Sequence, residues 1–198
     1  MKNRLIAFIT LIAVLNLRRK GVDGLAGSKF VGLPVVSRRE GSSITIGSRF
    51  VAVSWASFQV IGVNHPAVIR TVQPGATLVI GDDCGMSGAT VVAATSIRIG
   101  NGCLIGANAT IVDTDFHPIH SEERRYDSMP PALEKHAVVI GKNVFIGANS
   151  IILKGSNIGD NSVVGAGSVV SGSFDRNSII AGNPATIVGT VRSAQVTA

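Results

Sequence analysis

IGKNVFIGANSIILKGSNIGDNSVVGAGSVV, residues 140–170, carries an aliphatic residue at every sixth position: Ile140, Ile146, Ile152, Ile158, Val164 and Val170. Three residues after the first five of these stand Asn143, Asn149, Gly155, Asn161 and Gly167. Asn and Gly are the residues that tolerate positive φ at least cost. The next position is small in each later repeat: Ser150, Ser156, Ser162 and Ser168. A period of six fits neither a helix nor a lone strand. It fits a short strand and a tight corner, repeated, with the aliphatics stacked in a narrow core. Such periods read as a parallel β-helix. Three faces of about six residues make one coil, rising by roughly 4.8 Å.

The same grammar runs upstream. Ile80-Gly81 with Asp83 and Cys84 opens a coil that continues through Met86 and Val92, followed by Ile99-Gly100, Ile105-Gly106 and Ile111. Between Val92 and Ile99 the frame slips by one residue, which predicts a bulge there. The spacing makes about four coils legible between 78 and 175. Residues 30–77 keep the frame poorly and predict at most an irregular earlier coil around Ile44 and Ile46.

At 198 residues the chain reads as one domain. Its boundaries are an apolar and basic segment at 1–22, expected to be helical, a β-helix domain at 23–192, and a tail at 193–198. The net charge of +6 comes from short groups such as Arg18-Arg19-Lys20, Arg38-Arg39 and Arg124-Arg125. These lack the aromatic interleaving of a nucleic-acid surface, so surface charge and attraction to a small anion are the better readings. Cys84 and Cys103 sit in the small slot of their repeats, expected in the core and reduced, which suits an intracellular protein. Leu5 to Leu17 is too short to span a bilayer. It can pack on a neighbour, lie on an anionic membrane face, or act as a signal peptide. The expected location is cytoplasmic, with possible peripheral membrane contact through residues 1–20.

The repeat breaks after Ile111. The frame calls for an aliphatic at 117 and finds His117-Pro118. The polar stretch to Ala137 reads as a loop, 117–137, expelled from the coil, and such excursions usually serve binding. A neutral His117 held by a carboxylate or a carbonyl is a competent general base near neutral pH. Spacing alone favours a histidine satisfied within the loop's own hydrogen bonds. His120 reads as an exposed loop residue, and His65 and His136 have no partners that the sequence names.

IGNGCLIGANATIVDTDFHPIH (99–120), residues 140–170, and AGNPA (181–185) together resemble the hexapeptide-repeat O-acetyltransferases of the galactoside and maltose type. In look they are closest to the surface-polysaccharide branch of that family. The resemblance implies an all-β fold, a left-handed parallel β-helix with a short N-terminal helix and one extruded loop. It also implies a homotrimer with sites between neighbouring prisms, acetyl-CoA as co-substrate, a sugar or glycan acceptor, and no required metal. By this resemblance His117 is the catalytic base, and Asp115 is a candidate to orient it. Ala148 would offer a backbone N–H to the oxyanion. Ala166 and Ser171 would line the pantetheine arm, and Gly182, Asn183 and Pro184 the nucleotide end. The acceptor-binding positions fall near Met86 and Ala94, leaving Ser87 as the polar candidate and galactoside itself in doubt. Two other functions fit the solenoid. A γ-type carbonic anhydrase needs three histidines around zinc, and a non-catalytic scaffold needs no site at all.

Overall fold

The computed structural model describes residues 2–192. The tail at 193–198 lies outside the described residues. Helix α1 (Lys2–Arg19) comes first, and three sheets of seven, eight and six strands follow, parallel throughout except for the last strand of the eight. They form the faces of a prism. Face A holds β1 (Val22–Gly24) in the first coil, face B β2 (Lys29–Val31) and face C β3 (Val35–Ser37). The second coil is β4 (Ser43–Ile46), β5 (Val51–Val53) and β6 (Val68–Thr71). The third is β7 (Thr77–Ile80), β8 (Gly85–Ser87) and β9 (Thr90–Ala93), the fourth β10 (Ser96–Ile99), β11 (Leu104–Ile105) and β12 (Thr110–Val112). After the loop come β13 (Val138–Ile140), β14 (Phe145–Ile146) and β15 (Ile151–Ile152), then β16 (Asn157–Ile158), β17 (Val163–Val164) and β18 (Val169–Val170). A last turn holds β19 (Ser173–Phe174) and β20 (Ser178–Gly182), on which β21 (Ala185–Thr190) folds back antiparallel.

The six-residue period is the core. Ile140, Ile146, Ile152, Ile158, Val164 and Val170 are each at most 1% exposed. Burying such a side chain contributes about 1.5–3 kcal/mol. The corner residues behave as their types require: Asn143, Asn149 and Asn161 have φ of 53°, 58° and 59°. The serine slot has a second reason besides size. The buried Ser156 hydroxyl donates to the Leu153 and Val170 carbonyls at 2.6 and 3.1 Å, and Ser150 and Ser168 both donate to Gly165 O. Cys84 and Cys103 do the same with sulfur, reaching Gly100 O and Gly141 O at 3.1 Å. Both thiols are free and buried. Contact with the Cys84 sulfur, together with burial, pushes the Cys103 thiol up.

Two expectations change. Residues 22–77 form two full coils, not one irregular one, because β1–β6 pair in unbroken parallel register with β4–β9. Their core positions are kept by Phe30, Ile44, Ile46, Phe50 and Ile69, and loose corners hide the period. The slip before Ile99 is not a bulge. Val91, fully buried and opposite Ile111, holds the frame in place of Val92, and the corners at Gly88 and at 94–95 absorb the difference.

Candidate active site

Chain order runs face A to B to C, so every coil has three corners. The loop expected at 117–137 leaves the corner between faces C and A, after Val112, and returns at Val138. Its root is anchored by a residue whose role the sequence did not disclose. Asp113 is fully buried, and its carboxylate accepts the N–H groups of Ala94, Thr95 and Ser96 at 2.6, 2.8 and 2.7 Å. Those three donors form the same corner one coil below. Burial pushes the Asp113 carboxyl up, and the three N–H donors work against that shift. The only signal in sequence was a carboxylate directly after a core strand.

From this anchor the chain turns sharply. Phe116 adopts φ 62°, a left-handed conformation uncommon for an aromatic residue, with its N–H on Thr114 Oγ1 at 3.1 Å. His117 is thereby presented outward, its N–H on Asp115 O at 2.7 Å. Its Nδ1 lies 3.3 Å from the Arg124 carbonyl oxygen. A carbonyl only accepts, so this contact places a proton on Nδ1, and in the neutral ring Nε2 then holds the lone pair. Arg124 closes the ring by donating from Nη2 to Ile119 O at 3.1 Å. The Asp115 carboxylate does not hold the imidazole. It pairs with Lys154, which projects from the same corner one coil above. His117 is exposed. Beneath the loop lies an open cavity of about 440 Å³ whose lining includes His120, His136, Asp115, Lys154 and Met129.

The remaining candidates gather on a different edge. Ala148 and Ala166 occupy the corner between faces B and C in successive coils, and Gly182 follows them one coil higher. The column is tight: a Cβ on Gly147 would stand 2.5 Å from the Ala166 nitrogen. The Ala148 N–H, like those of Ala107 and Ala166, has no partner among the described residues. Asn183 and Pro184 form the exposed turn between β20 and β21, continuing this edge. Ser87 lies low on the same edge and accepts from Gln59 Nε2 at 2.7 Å. Gln59 belongs to a second excursion, 54–67, which the sequence reading missed; its tip exposes Val60 and Ile61. Ser171 instead shares the corner of His117 and Lys154, higher on the prism. One chain thus carries His117 on one edge of face C and the alanine column on the other. At six residues a side, the two edges stand roughly 15–20 Å apart.

Residues 96–114 and 137–171 match the family model described as the hexapeptide repeat of succinyl-transferase. Those two segments carry repeats of the kind that model describes. Its coil is the left-handed parallel β-helix expected, although parallel crossovers are otherwise right-handed. It is 42% identical over 97 residues to an Escherichia coli K12 protein named as an O-acetyl transferase of lipopolysaccharide biosynthesis, covering 47% of this chain and 50% of that one. It is 38% identical over 99 residues to the galactoside O-acetyltransferase of the same organism, covering 50% and 46%. The chain therefore spans about half the length of the curated relatives it matches. Among solved structures, a hexapeptide-repeat-containing acetyltransferase from Vibrio cholerae superposes with a TM-score of 0.51 at 30% identity, covering 59% of this chain and 64% of that one. The resemblance to hexapeptide-repeat acetyltransferases read from the motifs is thus real. Among the described residues, no three metal-ligating side chains come together within the chain. The zinc reading therefore has no ligand set within a single chain.

Proposed function

We propose that the chain is an O-acetyltransferase that moves an acetyl group from acetyl-CoA to a hydroxyl of a sugar or glycan, in clefts between three copies of itself. The observation that carries this reading is His117, its Nδ1–H turned onto the Arg124 carbonyl and its ring exposed at the break in the repeat. Nε2 takes the proton of the acceptor hydroxyl as that oxygen attacks the thioester carbonyl. The tetrahedral oxyanion is held by a backbone N–H, for which Ala148 is the candidate. Its collapse breaks the C–S bond, and the CoA thiolate recovers the proton from the imidazolium. No acyl-enzyme forms.

The separation of base and alanine column across face C favours a site shared between copies. His117 of one copy would face the Ala148, Ala166 and Gly182 edge of the next, where small residues let the pantetheine arm lie along the backbone. Asn183 and Pro184 would flank its nucleotide end. The names of the relatives favour a glycan acceptor in polysaccharide synthesis. Met86 and Ala94 offer no hydroxyl-binding groups, so Ser87 is the polar contact this reading gives to the acceptor. Asp115 acts at a distance, by fixing Lys154 and the root of the loop.

The test is thiol release from acetyl-CoA against a panel of free, nucleotide-linked and lipid-linked sugars. His117→Ala should leave the assembly intact and lower turnover by about two to four orders of magnitude. Unchanged turnover would remove His117 from the chemistry.

A further inference from the structure

We propose that the outward face of α1, together with the basic turn beside its C-terminal end, docks the chain on an anionic lipid bilayer. The helix closes the open end of the prism. Ala13 and Leu17 join the core of the prism, Ile9 is buried on the same face, and the Thr10 hydroxyl exchanges hydrogen bonds with the Phe30 carbonyl and N–H at 3.2 and 3.0 Å. The opposite face is apolar as well. Leu5, Phe8, Leu11, Ile12 and Leu15 are between 39% and 60% exposed. At 3.6 residues per turn they form one stripe, nearly opposite the buried one. A helix that only sealed the prism would need one such stripe.

Charge identifies the occupant. The helix has no acidic residue, and Arg4, Arg18 and Arg19 are exposed at its two ends. The fold adds cations that the sequence keeps apart. Arg38 Nε donates to the Lys20 carbonyl at 3.0 Å, and Lys20 Nζ donates to Val36 O at 2.7 Å. This sets the exposed Arg38 and Arg39 beside Arg18, Arg19 and Lys20, with Glu40 as the acidic neighbour. Two copies meeting through this face would set cations against cations. A bilayer carrying phosphate headgroups neutralises them while its acyl boundary takes up the stripe.

No described helix is long and apolar enough to cross a membrane, so α1 lies in the interface with the prism standing on it. The root of the His117 loop, three coils above the first, is then held roughly 15 Å farther out. An acceptor tethered to lipid would be within reach. That last consequence rests on the acetyl-transfer reading; the docking itself does not.

The experiment is flotation of the full chain, without CoA, on vesicles of phosphatidylcholine alone and with about a third phosphatidylglycerol. Binding should favour the anionic vesicles and weaken with salt. Phe8→Ser/Leu11→Ser, which alters exposed positions only, should weaken it about tenfold or more. Arg18→Gln/Arg19→Gln should weaken it about fivefold for each arginine, on anionic vesicles only. Melting curves verify that both variants fold. Failure to float with anionic vesicles, or variants that float like the parent, overturns the proposal. So does a fall in the mass of the assembly with Phe8→Ser/Leu11→Ser, which would make the stripe a contact between copies.

Discussion

Replacing Asp113 by Asn changes almost no volume and tests the anchor of the loop. In the native chain one carboxylate oxygen accepts the Ala94 N–H, and the other accepts those of Thr95 and Ser96. The amide keeps one oxygen. Its NH2 must replace the other and then faces one or two donors. Each buried donor left without an acceptor costs about 1–3 kcal/mol. Relief from holding a charge in a dry site offsets part of that. The net loss should be about 2–4 kcal/mol, or about 5–12 °C in Tm for a chain of this length. The pH dependence has a defined sign. Burial raises the folded carboxyl above its ordinary value. The folded state therefore binds the proton more readily than the unfolded one, and this contribution is complete below the unfolded pKa and is lost as pH rises through the folded one. The gap between the parent and the Asp113→Asn variant should thus widen as pH falls through that window. Differential scanning fluorimetry across the acid range measures both effects. A variant melting within about a degree of the parent would refute the anchor. A gap that narrows toward acid would mean that the three N–H donors outweigh burial.

Other substitutions probe the remaining parts. Gly147→Ala drives a methyl onto the Ala166 nitrogen; thermal unfolding should show a loss of about 1–3 kcal/mol from overpacking, and the CoA affinity proposed for this edge should fall with it. Lys154→Met removes the partner of Asp115. Both side chains are about a third exposed, so stability should change by no more than about 1 kcal/mol in the same melt. Trypsin should then nick the loop faster at Arg124 or Arg125.

The coils at 140–170 were legible because each position has one demand: an aliphatic for the core, Asn or Gly for positive φ, a small hydroxyl for the corner. The coils at 22–77 were not, because strand pairing tolerates corners of unequal length. Phe30 and Phe50 fill the same core without keeping count. His117 was legible as a break in the period. Its partner was not, since the Arg124 carbonyl carries no side-chain signature. Asp113 looked like one acidic residue among several, and the 54–67 excursion lay where no period existed to be broken.

The sequence by itself determined the solenoid, its period, the place where it opens and the imidazole at that opening, because these follow from local rules repeated along the chain. The tertiary structure decided what distance along the chain conceals. It stacked Ala148, Ala166 and Gly182 on one edge and set His117 on another. It gave Asp115 to Lys154, and gathered Arg38 and Arg39 beside the end of α1. Coiling makes neighbours of residues as far apart in the chain as Val163 and Ile179, or Leu104 and Phe145, each pair one strand spacing apart. The interrupting loop makes those separations unequal. Only the folded chain reveals which residues share an edge.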